Sequence, residues 1–271
     1  MSGIYKTKKN LNNMKGIIFA GDSFTWGQGL YYYSELPNLK IPKTGHYIDT
    51  YVTPSHRKFK DSKRFAKLVA NELDTFELVK IGNGGSDDDS LEFIDNVFKK
   101  DGYKYEDISY VIFQTTQFMR SGFEIEMDGE LHNLHFNNSV MKMHNMHDFF
   151  IKWLNENNYT LDDYERLHIR QVFDKIKSKF KELESNGVKC KIICWTSEYI
   201  DLIKTDKYMF DRFIPILYDN KNIDCFETFM EEYPEMMIKN DSYFKQSVGD
   251  NHLSLNAHRI IANSIINNIK K

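Results

Sequence analysis

The stretch KGIIFAGDSFTWGQG, Lys15 to Gly29, decides the fold class. Its first part, Lys15–Ala20, is a short apolar run rich in β-branched residues and closed by Gly21. A strand buried on both faces and ended by a turn has that composition. The remainder, Gly21–Gly29, is small, polar and glycine-punctuated, as expected of a segment leaving the end of such a strand.

Working outward, similar apolar runs recur at Phe76–Ile81, Ser109–Phe113, Val188–Trp195 and Asn222–Phe226. Between them lie helical patterns. Asp61–Leu73 carries Phe65, Leu68, Val69 and Leu73 at helical spacing, and Asp87–Phe98 carries Leu91, Ile94, Val97 and Phe98. Ser139–Asn155 looks helical. Thr160–Ser185 has a cap signature at Thr160 and Asp163, an apolar stripe and a stop at Gly187. Leu255–Ile269 is a last amphipathic helix with Ser254 as its N-cap. Strands alternating with helices predict an α/β fold with a mostly parallel, five-stranded sheet covered on both faces, in one domain over 1–271. Leu30–Lys60 is too long for an ordinary connection and reads as a functional loop or small subdomain. Glu124–Asn138 reads as a hairpin, and the region near 114–160 as an inserted cap.

Composition narrows the function. The chain has 271 residues, 41% of them hydrophobic, and a formal net charge of −3. That is enough for a sizeable core and gives no basic excess to call for a nucleic-acid partner. The three cysteines, Cys190, Cys194 and Cys225, lack CxxC spacing and are expected to be buried reduced thiols. Met1–Asn13 is polar and lysine-rich, without the apolar segment of a signal peptide, and no run reaches the ~20 apolar residues of a membrane span. A soluble, cytoplasmic protein without a membrane partner is expected, with release or carriage on a particle left open. His132, His135, His144 and His147 have H-x-x-H spacings, but no HExxH or nearby cysteine supports them, so no metal is expected.

Ligands of open α/β sheets bind beyond the carboxyl ends of the strands. That rule singles out Gly21–Gly29, Gly82–Ser90 and Gln114–Arg120. A serine directly after a buried strand is rigidly held, so Ser23 is a candidate nucleophile whose own N–H can face a developing oxyanion. Asp22 or Ser23 as a simple helix cap is the competing reading. Near the other end, GDNHLSLNAH places Asp250 and His252 two apart, so that in an extended loop the carboxylate can orient the imidazole. A turn with a capping Asp and a surface His competes. The run GNGGSDDDS lacks the lysine of a phosphate loop; its acids suit a helix N-terminus. Asp22, Thr116 and Arg120 are candidate substrate contacts, Arg120 for an anionic group, with a structural ion pair as its alternative. Trp26 and Tyr31–Tyr33 read as a sugar-stacking wall or as packing.

In their order, the strand with GDSFTWGQG, the glycine turn after the second strand, and the late Asp-x-His resemble the SGNH (GDSL-type) hydrolase superfamily across nearly the whole chain. The resemblance implies a flavodoxin-like three-layer α/β/α sandwich that needs no cofactor. It implies Ser23 as nucleophile, His252 as general base and Asp250 as its orienting acid. The oxyanion hole would combine the backbone N–H of Ser23, that of Gly84 (Gly85 if the register slips by one) and a side-chain amide after the third strand. There the chain departs from the family: Gly-x-Asn-Asp is replaced by QTTQFMR, leaving Gln117 as the nearest amide and Thr115 or Thr116 as substitutes. Three functions are compatible with these features: hydrolysis of a small-molecule or carbohydrate ester, acyl transfer through the same serine, or binding on a hydrolase scaffold. The sequence does not set the oligomeric state.

Overall fold

A computed structural model describes residues 14–34, 53–80, 85–117, 120, 122–127, 129–135, 147–244 and 249–271. In chain order the strands are β1 Gly16–Ala20, β2 Phe76–Val79, β3 Ile108–Gln114, β4 Gly122–Met127, β5 Glu130–His135, β6 Lys189–Ile193, β7 Ile216–Tyr218 and β8 Lys221–Ile223. The α-helices are α1 Ser23–Trp26, α2 Pro54–Lys63, α3 Phe65–Glu72, α4 Asp87–Lys99, α5 His147–Glu156, α6 Leu161–Ser185, α7 Ile200–Thr205, α8 Lys207–Phe210, α9 Phe226–Glu232 and α10 Leu255–Ile269.

The central sheet has four parallel strands in the order β2-β1-β3-β6. Strand β1 explains why both faces are covered. Ile17, Ile18, Phe19 and Ala20 all have no accessible surface. Because side chains alternate along a strand, Ile18 and Ala20 join the core made with α4, α6 and α7, whereas Ile17 and Phe19 join the core made with α3, α9 and α10. This is a three-layer α/β/α sandwich, the expected fold class, with the strand order of flavodoxin-like sheets.

The fifth strand differs from expectation. Asn222–Phe226 does not form a ladder on β6. Beside β6 there are two isolated parallel bridges, Ile192 with Phe213 and Cys194 with Cys225, while Lys221–Ile223 turns back as β8 onto β7. Asp219 and Asn220, both with positive φ, make that tight turn, and their preference for left-handed backbone overrides strand continuation. The three cysteines are buried and free.

The helix expected over Asp61–Leu73 is two helices. Thr53 caps α2, Pro54 occupies its first turn, and the chain breaks at Arg64 (φ −64°, ψ 148°). The Arg64 guanidinium holds the break by pairing with Asp61 at 2.8 Å and with Glu77 at 2.9 Å. Within Leu30–Lys60, expected to be a functional loop or small subdomain, Leu30–Ser34 is a 3-10 helix and 54–60 belong to α2, while 35–52 lie outside the described residues. The hairpin is β4–β5, and Ile125 on it packs with Phe150 and Leu154 of α5. Helix α5 begins at His147, and residues 136–146 of the expected hairpin and helix lie outside the described residues. Among the described residues no helix is long and apolar enough to cross a membrane.

Helix α10 contributes a pH-sensitive element to this core. His258 has no accessible surface, lies against Phe65 with ring centroids 5.5 Å apart, and accepts the Phe65 N–H on Nδ1 at 3.2 Å. Burial depresses its pKa from 6.5 to about 3. A depressed histidine contributes full stability above the unfolded-state value and loses it as the pH falls toward the folded-state value. Chemical denaturation from pH 7 to pH 3 is expected to show this loss. His258→Asn, which keeps an acceptor for Phe65, is expected to show a shallower decline; an identical decline would contradict the assignment.

Candidate active site

The turn after β1 carries the first group. Asp22 is the N-cap of α1 and accepts the Phe24 N–H at 3.0 Å, so the capping reading of Asp22 holds and at the same time fixes Ser23 in the first helical turn. Ser23 Oγ lies 2.9 Å from His252 Nε2, although the two residues are 229 positions apart. His252 Nδ1 lies 2.6 Å from Asp250 Oδ1, which also accepts the His252 backbone N–H at 2.8 Å. With Nδ1–H donating to the carboxylate, Nε2 is the acceptor that faces the serine hydroxyl.

His252 is held from behind. The segment 250–254 runs against 236–239. Ile238 N donates to His252 O at 2.9 Å, Lys239 N to Asp250 O at 2.9 Å, and Ser254 N to Met236 O at 2.7 Å. Ser254 then caps α10, as its sequence position indicates. The imidazole also packs on Phe24, with ring centroids 5.1 Å apart. Gly29 permits the approach of Asp250: its φ is +84°, and a Cβ there would lie 2.4 Å from Ile238 Cδ1 and 2.9 Å from Asp250 Oδ2. The second glycine of GQG is thus a packing requirement of the acid.

Asp22 has no accessible surface. Oδ1 receives the Gln114 amide at 3.0 Å, and Oδ2 receives Arg120 Nη1 at 2.8 Å. Burial raises the Asp22 pKa; Arg120, Gln114 and the Phe24 N–H pull in the opposite direction. Gln114 also donates to Thr115 O at 3.1 Å and accepts Thr25 Oγ1 at 2.5 Å. Its amide hydrogens are therefore committed behind the serine turn. The sequence places Gln114 at the start of the Gln114–Arg120 segment beyond the third strand, where Gln117 reads as the nearest amide for the oxyanion. Gln114 is instead the last residue of β3, where a buried polar side chain must find partners.

The remaining expected residues occupy several places. Thr116 is buried, and its N–H donates to Asp87 Oδ1 at 2.8 Å. Asp87 also accepts Tyr199 Oη at 2.8 Å, and burial pushes its carboxyl up to about 7. Gln117 is half-buried on the same loop, its carbonyl accepting the Arg120 N–H at 3.0 Å. Gly84 lies outside the described residues. Gly85 leaves room for Lys80, whose Nζ a Cβ at that position would approach to 2.1 Å. Asp89 closes a capping box with Ser86, accounting for part of the acidic run. Tyr31, Tyr32 and Tyr33 are buried with Ile238, and Lys60 Nζ lies 3.4 Å over the half-buried Trp26 ring. The three tyrosines are thus packed side chains. Among the described residues no group of three or more His, Cys, Asp or Glu side chains is placed to hold a metal; His144 and the side chains of His132 and His135 lie outside them.

Replacing Gly29 with Ala is expected to cost on the order of 1 kcal/mol or more through the left-handed backbone alone, and to displace Asp250. The check is urea denaturation, together with the reactivity of Ser23. Unchanged stability and reactivity would contradict the close packing of Gly29 against Ile238 and Asp250.

Comparison with known proteins gives little to set beside this geometry. No family model and no curated protein matches the chain. Among solved structures, it is similar to a carbohydrate esterase described as having an active site with divergent catalytic and non-catalytic binding functions. The two share 13% identity over 95% of this chain and 68% of the other, with a TM-score of 0.48. At that distance the likeness carries no weight for function.

Proposed function

We propose that the protein hydrolyses carboxylic esters, of the small acyl or carbohydrate-ester type, through an acyl-Ser23 intermediate. The observation that carries the reading is the continuous hydrogen-bonded chain from Asp250 through His252 to Ser23, at 2.6 and 2.9 Å. Nucleophile, base and orienting acid in that relation are what acyl transfer at neutral pH requires.

In this reaction His252 Nε2 takes the Ser23 hydroxyl proton as Oγ attacks the ester carbonyl carbon. The carbonyl electron pair moves onto oxygen. Collapse of the tetrahedral species breaks the bond to the alcohol, which leaves with the proton from His252. A water, deprotonated by the same imidazole, then attacks the acyl-serine; the bond to Ser23 Oγ breaks, Oγ takes the proton back from His252, and the acid leaves. Asp250 stabilises the imidazolium in both halves. Asp22 acts as a positioning residue: its carboxylate ties the Phe24 N–H, Gln114 and Arg120 into one frame around the serine turn.

For the oxyanion, the first-turn N–H of Ser23 is one donor, since such groups have no partner within their helix. The backbone N–H of Gly84, or of Gly85 if the register slips by one, and the Gln117 amide are assigned as the others. Gln117 takes this part rather than Gln114, because both Gln114 amide hydrogens are already donated. The β4–β5 hairpin and α5 are assigned to a cap over this end of the sheet. Acyl transfer to a sugar hydroxyl would use the same acyl-serine and is distinguished by product analysis with an added acceptor.

A fluorophosphonate probe is expected to label folded protein at Ser23 and to leave Ser23→Ala unlabelled. Absence of labelling in the folded wild-type chain would overturn the proposal. For hydrolysis of an activated acetate ester, Asp250→Asn is expected to reduce kcat by on the order of 10⁴. Gln117→Ala is expected to reduce it by about a hundredfold to a thousandfold with the fold intact. An unchanged Gln117→Ala rate would remove that residue from the oxyanion hole.

A further inference from the structure

Arg120 helps hold Asp22, but its charge takes no part in the proton transfers of the hydrolysis. Its Nη1 pairs with Asp22 Oδ2 at 2.8 Å, and its guanidinium lies over the Trp195 ring, 4.3 Å from the centroid. The Trp195 ring is 4.5 Å from that of Phe24, which in turn is 5.1 Å from His252. Arg120 is thus connected to His252 through two intervening rings, Trp195 and Phe24, and to the serine turn through Asp22, which directly precedes Ser23. The two members of the ion pair differ in exposure: the Asp22 side chain is 0% exposed and that of Arg120 is 26% exposed. Solvent therefore meets only the positive member. A guanidinium has five N–H donors in a rigid planar fork. Among the described residues Asp22 is its one side-chain acceptor. The contact with Trp195 and the bond to Asp22 restrain the guanidinium, so its exposed donors can meet an anion at a reduced entropic cost.

We infer that Arg120 recognises an acidic group on the substrate, so that the esters this site takes carry a carboxylate near the scissile bond. This rests on the hydrolase reading. The substrate class is then an acylated acid, such as an O-acylated acidic sugar, rather than a neutral ester.

The test uses two phosphonate probes with the same reactive head, one bearing a carboxylate and the other its primary amide, and measures the rate of Ser23 labelling. Wild-type protein is expected to react with the carboxylate probe roughly tenfold or more faster, the size of one charge-assisted hydrogen bond, and this preference is expected to shrink as salt is added. Arg120→Gln is expected to abolish the preference, and Arg120→Lys to retain part of it. The ratio of the two rates is insensitive to a general loss of serine reactivity, which would slow both probes alike. Equal wild-type rates, or a preference for the amide probe, would overturn the inference while leaving the hydrolase reading standing. So would an Arg120→Gln variant that slows both probes equally, which would reduce Arg120 to a partner of Asp22. If Arg120→Gln does not fold, the wild-type ratio and the Arg120→Lys variant decide. Failure of both probes to label Ser23 would overturn the hydrolase reading and this one together.

Discussion

The hydrogen bond from Ser23 to His252 depends on the burial of β1. A strand with no accessible surface from Ile17 to Ala20 cannot shift, so the turn leaving it is fixed in space. Asp22 completes that fixation. A buried carboxylate is tolerated only when its oxygens are satisfied, and here Phe24, Gln114 and Arg120 supply the donors. The serine hydroxyl is thereby presented to the imidazole by a frame that has little freedom to relax. On the other side, backbone bonds between 236–239 and 250–254 hold the histidine. Two independently anchored segments meet at one hydrogen bond, the arrangement that pre-organised catalysis requires.

Much of this is legible in the sequence, because the relevant signals are local. The run Lys15–Ala20 announces a doubly buried strand, Ser254 announces the start of the last helix, and Asp250 and His252 are close enough in sequence for their interaction to follow from an extended backbone. The alternation of strands and helices is likewise a local pattern, and it yields the layered fold. The resemblance to SGNH hydrolases then names the partners Ser23 and His252, which no local pattern can join.

The features that the sequence conceals are nonlocal. Nothing in the neighbourhood of Gln114 indicates that its amide will be spent on Asp22 and Thr115, or that Trp195 will carry Arg120 on its face. The requirement for glycine at position 29 comes from Ile238 and Asp250, more than two hundred residues away. The expected fifth strand fails because Asn222–Phe226 has strand composition, while its pairing is decided by the turn at Asp219–Asn220 and by how little of it reaches β6. At Arg64 an apolar helical pattern is broken where the guanidinium binds Glu77 on a neighbouring strand as well as the local Asp61.

The most direct measurement of the central claim is rapid-quench mass spectrometry of the intact protein, with peptide mapping, during turnover of an activated acetate ester. The expected result is one acetyl group on Ser23, formed and lost at the rate of turnover and absent from the Ser23→Ala variant. Product formation with the acetyl group on another residue, or with no covalent adduct under any condition, would contradict the account.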